Sequence, residues 1–107
     1  MSTTGQIRKY VRVRLPRGTM VAWEHLGERN VSAISVMGLG GLFISTPEPP
    51  PAGDFIKLVF ELPGGDVRAR ARICDSRSGK GMGIQFVSMG HEARARLNRY
   101  VDVLINK

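Results

Sequence analysis

The sequence predicts a mainly β domain, a six-stranded antiparallel β-barrel with one C-terminal α-helix. Along most of the chain, apolar residues alternate with polar residues in short runs, which is the period of a half-buried strand. Clusters of glycine and proline separate these runs and indicate turns. Apolar residues at three- and four-residue spacing occur only near the C-terminus. Short strands joined by tight turns are typical of a closed barrel, because closure removes exposed sheet edges.

The first half of the chain alternates strands with turns. The first strand begins at Val11 and stops at the turn Pro16-Arg17-Gly18, and a hairpin turn is predicted at 27–29. Gly38-Leu39-Gly40-Gly41 interrupts the third strand, and the prolines of 48–54 indicate a surface loop because proline cannot donate to a ladder. The predicted strands are 11–15, 19–25, 30–37 and 42–44.

The second half contains a hairpin, a last strand and the helix. Strands 55–62 and 67–74 flank Pro63-Gly64-Gly65-Asp66, a strong hairpin signal. Arginines occupy alternate positions of the second strand, and we expect Cys74 to end its apolar face as a small buried side chain. A last strand is predicted over 81–87. From His91 to Ile105 the apolar spacing predicts a helix with one face on the sheet.

Length and composition indicate one small domain with an anionic partner. At 107 residues and 42% hydrophobic content the chain can build one core; we expect a flexible basic arm over 1–9 and a single domain over 10–107. The single cysteine excludes an internal disulfide and favours a reducing, cytoplasmic location. No secretory leader or membrane-spanning run is recognised. The net charge of +7 favours anionic partners.

The sequence offers little for catalysis, and we expect no enzyme. His25 and His91 are far apart, and with one cysteine they are too few for a structural zinc site. Gly38-Leu39-Gly40-Gly41 enters a strand rather than a helix, so it is not a dinucleotide fingerprint. We therefore predict neither a metal nor a cofactor.

Positive charge is concentrated at the N-terminus. The first 23 residues carry five positive side chains and no carboxylate. Arg8 and Arg12 are four residues apart, which is ~13 Å in an extended segment at ~3.3 Å per residue. Like charges on one strand repel, so we interpret the cluster as a site for an anion.

In order along the chain, these features resemble the PilZ domain, the bacterial receptor module for cyclic di-GMP. Its Arg-x-x-x-Arg motif is matched by Arg8-Lys9-Tyr10-Val11-Arg12, and its late Gly-x-Gly-apolar-x-Phe strand by Gly81-Met82-Gly83-Ile84-Gln85-Phe86. The resemblance covers 8–104 and implies a non-catalytic signalling module that binds cyclic di-GMP and relays the signal to an unidentified effector protein. The ligand-binding residues it implies are Arg8, Lys9, Arg12, Gly38 and Gly41.

The second family motif is degenerate in this chain. The family has Asp or Asn, then any residue, Ser, two of any kind and Gly, where this sequence has Val36-Met37-Gly38-Leu39-Gly40-Gly41. Each lost polar contact is worth about 0.5–1.5 kcal/mol, and more where one group is charged, so we expect the two losses to weaken binding about ten- to a thousandfold. Ser35 offers a neighbouring hydroxyl, although strand alternation points it opposite to Val36.

Two alternatives to the nucleotide receptor remain. One is a degenerate PilZ adaptor that binds no nucleotide and acts through protein contacts. The other is nucleic-acid binding through a second basic cluster of Arg68, Arg70, Arg72, Arg77 and Lys80. We do not expect the latter, because single-strand binders interleave exposed aromatics and the phenylalanines here have core patterning. Those residues are Phe43, Phe55, Phe60 and Phe86. We expect no membrane insertion, and a monomer or a weak homodimer.

Overall fold

The computed structural model describes residues 12–106, and within them the chain forms a closed antiparallel barrel of six strands with one extra strand and one helix. The predicted fold class is confirmed. The arm 1–9 and Val11 lie outside the described residues. The elements are β1 (Arg12–Arg14), β2 (Met20–His25), β3 (Glu28–Gly38), β4 (Gly41–Ser45), β5 (Phe55–Leu62), β6 (Gly65–Arg77), β7 (Gly81–Met89) and α1 (His91–Ile105).

The barrel closes through the pairing of β2 with β5. Around the ring the strands follow the order β2, β3, β4, β7, β6, β5, and every pairing is antiparallel. β1 lies outside this ring and pairs only with the C-terminal part of β3, from Val36 to Gly38. β2 pairs with the N-terminal part of β3. This pairing places Arg12 at the end of β3, where the glycine-rich turn begins.

The core fills the barrel and is covered at one side by α1. Buried positions alternate with more exposed ones along β5 and β6, and in β6 the inward residues are Val67, Ala69, Ala71 and Ile73. The rings of Phe60 and Phe86 pack with centroids 6.4 Å apart. α1 spans the predicted range and buries the stripe Ala93, Leu97 and Val101.

Turn geometry moves several strand boundaries. The first hairpin turns at Leu26 and Gly27, both with positive φ (51° and 85°), so β3 already begins at Glu28 instead of Asn30. Positive φ at both central positions matches the right-handed twist of the flanking strands. β6 and β7 extend beyond their predicted ends, to Arg77 and Met89.

Three side chains predicted as buried lie outside the core. Cys74 follows the inward-facing Ile73 directly and so falls on the arginine side of β6, where it is exposed. Phe55 is 49% exposed, because the inward positions of β5 begin with Ile56. Phe43 is half-buried between the inward-facing Leu42 and Ile44. In each case strand alternation puts the side chain on the outer face.

Candidate functional site

A cavity of about 1030 Å³ opens beside the turn between β3 and β4. Three of the predicted site residues, Arg12, Gly38 and Gly41, line it. Arg8 and Lys9 lie outside the described residues. We call this space the turn cavity; its other lining residues are Ser35, Val36, Leu39, Gly40, Leu42, Phe43, Cys74, Asp75, Arg77, Gly83, Ile84, Gln85, Arg94 and Asn98.

Strand register brings Arg12 to the glycine-rich turn. In the β1–β3 pairing Arg12 is opposite Gly38, and Arg14 is opposite Val36. Directly opposed residues of antiparallel strands have their side chains on the same face. Since Gly38 has no side chain and Arg12 is exposed, the guanidinium of Arg12 is free to reach across the mouth of the turn cavity.

Gly41 is required by the close approach of β7. A Cβ atom at this position would overlap the backbone carbonyl oxygen of Ile84. Next to it, the backbone N–H of Phe86 donates to the carbonyl oxygen of Gly40 at 2.8 Å. At Gly40 itself a Cβ would meet nothing within 4 Å. Gly41, the glycine that matches the last position of the family motif, therefore allows the turn to pack closely against β7.

Helix α1 holds the same turn from the other side. Nη1 of the partly buried Arg94 donates to the carbonyl oxygen of Leu39 at 2.6 Å. A charged donor makes this bond stronger than one between neutral groups. The apolar spacing predicted only that Arg94 lies off the buried face of the helix, and it did not indicate this contact.

A β-bulge changes the position of Ser35. Ile34 is opposite Ile44, whereas Val36 is opposite Phe43, so β3 contains one extra residue between them. A bulge disrupts the alternation of side chains, and Ser35 and Val36 both line the turn cavity. Strict alternation therefore does not hold at Ser35 and Val36, and the local pattern could not reveal this because the bulge depends on the register of β4.

The far wall of the turn cavity comes from β6 and β7. A second register shift, between Ile73 and Asp75, leaves Cys74 as the extra residue of β6. Nε of Arg77 donates to Oδ2 of Asp75 at 2.9 Å. Arg77, assigned above to a nucleic-acid cluster, thus lines the turn cavity.

The charge of the turn cavity favours an anion. Its described lining includes three guanidinium groups, those of Arg12, Arg77 and Arg94, and one carboxylate, that of Asp75. Guanidinium groups make bidentate bonds to phosphate and to the edge of guanine. Within residues 12–106 no group of three His, Cys, Asp or Glu side chains is arranged to hold a metal ion. The cavity is suited to binding a phosphorylated ligand.

Comparison with known proteins decides the family. The model of the PilZ domain matches residues 6–102. This chain belongs to the PilZ domain family. A search of the curated proteins found no match.

Solved structures support the PilZ fold. MrkH of K. pneumonia in its apo state has a TM-score of 0.76 at 18% identity, with 90% of this chain and 50% of that one covered. The PilZ domain of YcgR from Escherichia coli, solved with c-di-GMP, has a TM-score of 0.71 at 13% identity, with 92% of both chains covered. The PlzA protein of Borreliella burgdorferi, also solved with c-di-GMP, has a TM-score of 0.70 at 14% identity, with 92% and 43% covered.

These similarities concern the fold. This chain spans about half the length of several of the proteins it matches, including MrkH and PlzA. In the described part of this PilZ chain, no helix has the length and apolar character needed to cross a bilayer.

Proposed function

We propose that this PilZ chain binds cyclic di-GMP in the turn cavity and relays the signal to a partner protein. The observation that carries the proposal is the convergence of Arg12, Gly38 and Gly41 on one cavity. These residues come from two motifs that are separated by more than twenty residues of sequence, and the β1–β3 pairing brings them together.

Arg12 is the proposed anchor of the nucleotide. Its guanidinium makes a bidentate contact with a phosphate or with the O6/N7 edge of a guanine. Arg8, four residues earlier, contacts a different part of the same ligand, and Lys9 adds positive charge.

The barrel side of the proposed site is poorer in polar groups than the family motif. Val36 and Gly38 supply no side-chain hydrogen bond, while Ser35 offers one hydroxyl at the bulge. Each missing bond costs about 0.5–1.5 kcal/mol. We therefore expect weaker binding than in a relative with the complete motif.

The proposed relay uses the contact between the turn and the helix. A nucleotide that contacts Leu39 and Gly40 shifts the Leu39 carbonyl group, which accepts the hydrogen bond from Arg94. The resulting shift of α1 is read by an effector protein that contacts its exposed side, where Val103 is 53% and Ile105 45% exposed. A cytoplasmic location, expected from the single cysteine, belongs to the same proposal.

Isothermal titration with cyclic di-GMP tests this function. We expect saturable heat for the parent chain, and at least tenfold weaker binding for Arg8→Ala and for Arg12→Ala. Arg29→Ala is the matched control, because Arg29 is exposed near the other end of β3 and does not line the turn cavity. The absence of heat at micromolar concentrations, with a partner protein bound regardless of nucleotide, would instead establish the adaptor.

A further inference from the structure

A second surface, on the outer side of β2, β3, β5 and β6, combines positive charge with exposed apolar side chains. A cavity of about 640 Å³ lies on it. The strand register sets two neighbouring rows of side chains across these four strands. One row contains Arg29, Glu24, Lys57 and Arg70, and the other contains Val31, Ala22, Val59 and Arg68. We call these eight residues the basic face.

The basic face has four cations and one carboxylate. In the part of the chain that the structure describes, none of Arg29, Lys57, Arg68 and Arg70 forms a salt bridge. The carboxylate, that of Glu24, is opposite Arg29 and Lys57 in the strand register, whereas the residues opposite Arg68 and Arg70 on β5 are Val59 and Lys57. Like charges on adjacent positions of a sheet destabilise it, and the arrangement attracts an acidic molecule.

One of the two rows of the basic face is apolar at three of its four positions. Ala22 has a short side chain and lies between Val31 and Val59, with the cations Arg29 and Lys57 diagonal to it. The Val31 side chain is 69% exposed. Apolar side chains bordered by arginines are common in protein–protein interfaces. The basic face therefore has room for one apolar side chain flanked by carboxylates.

The same surface is less suited to single-stranded nucleic acid. Such ligands are held by exposed aromatic rings on which bases stack. The exposed ring nearest the cations is that of Phe55, and the guanidinium of Arg70 already lies over it, 5.6 Å from its centroid. The apolar row beside the cations consists of Val31, Ala22 and Val59, which offer no ring for stacking.

We infer that the basic face binds an acidic segment of a partner protein with the pattern Glu-x-apolar-x-Glu. From Arg29 on β3 to Arg70 on β6 there are three strand spacings, or ~14 Å. In an extended peptide, residues i and i+4 are ~13 Å apart on one face. The central apolar side chain then lies above Glu24 and Lys57, beside Ala22 and Val59 of the neighbouring row. This binding does not rest on the proposed nucleotide site.

An NMR titration of the full ¹⁵N-labelled chain tests the inference, because it detects weak binding residue by residue. The probe is the blocked peptide Gly-Glu-Ser-Leu-Ser-Glu-Gly. We expect saturable amide shifts at Ala22, Val31 and Val59, with none at Gly38 and Gly41. The Gln-for-Glu peptide and the Ser-for-Leu peptide should each bind at least fivefold more weakly. Adding cyclic di-GMP should leave the peptide-induced shifts at Ala22, Val31 and Val59 unchanged.

Charge-reversal variants distinguish binding at the basic face from a general effect of the net charge of the protein. The double variant Arg29→Glu with Arg70→Glu should raise the peptide Kd at least tenfold. The control, Arg17→Glu with Arg99→Glu, makes the same change in net charge at exposed residues outside the face. It should raise the Kd less than twofold. Equal losses in the two variants, no shifts with the parent peptide, or tighter Arg70-dependent binding of a single-stranded oligonucleotide or an anionic vesicle would overturn the inference.

Discussion

Arg94 of α1 and Leu39 of the β3–β4 turn are joined by a hydrogen bond of 2.6 Å from guanidinium to carbonyl oxygen. The two residues are 55 positions apart in sequence. Because the turn also lines the proposed nucleotide site, this bond connects the position of the helix to the shape of the site.

Removing this bond should loosen the turn. Arg94→Ala leaves the Leu39 carbonyl without its donor, and an unsatisfied group of this kind costs about 1–3 kcal/mol. We expect a lower urea midpoint and weaker binding of cyclic di-GMP. Arg99→Ala, an exposed position on the same helix, is the control and should leave both unchanged. Equal midpoints for the two variants would contradict a role for the bond.

Two adjacent glycines should respond very differently to alanine. Gly41→Ala forces a Cβ into the Ile84 carbonyl oxygen, and such overpacking costs about 1–3 kcal/mol. At Gly40 a Cβ has open space, so Gly40→Ala should be nearly neutral. Thermal unfolding of both variants gives the comparison. A Gly41→Ala chain as stable as the Gly40→Ala chain would show that the turn relaxes without cost.

Restoring the family motif should strengthen nucleotide binding. Val36→Asp combined with Gly38→Ser returns the two lost polar groups beside Arg12, and we expect the Kd for cyclic di-GMP to fall at least tenfold. Val31→Asp with Ala33→Ser makes a similar change on the same strand outside the turn cavity and should have no such effect. If titration calorimetry finds no tightening in the first variant, the site geometry does not match that of the family.

The bulge residue should contribute one hydrogen bond to the proposed ligand. Ser35→Ala removes a hydroxyl that lines the turn cavity, and a bond worth about 0.5–1.5 kcal/mol corresponds to a two- to twelvefold weaker Kd. Ser88→Ala, on an exposed part of β7 outside this cavity, serves as control. Identical titrations for both would remove Ser35 from the site.

Local sequence patterns predicted those features that depend on few neighbours. The helix from His91 to Ile105 follows from its apolar spacing, and alternation identified the inward face of β6 up to Ile73. The bulges at Ser35 and Cys74 were missed because each depends on the register of a distant strand, β4 in one case and β7 in the other. The close contact of Gly41 with Ile84 likewise joins parts of the chain that sequence alone does not bring together.

The position of β1 outside the ring has a consequence for how this domain can diverge. The six ring strands close the barrel by pairing with one another, and β1 adds three residue pairs with β3 outside that ring. The strand that begins with Arg12 is therefore not needed to close the barrel. A change of side chain at Arg12 can alter ligand recognition while the pairing of the ring strands is kept, so scaffold and specificity evolve under separate constraints.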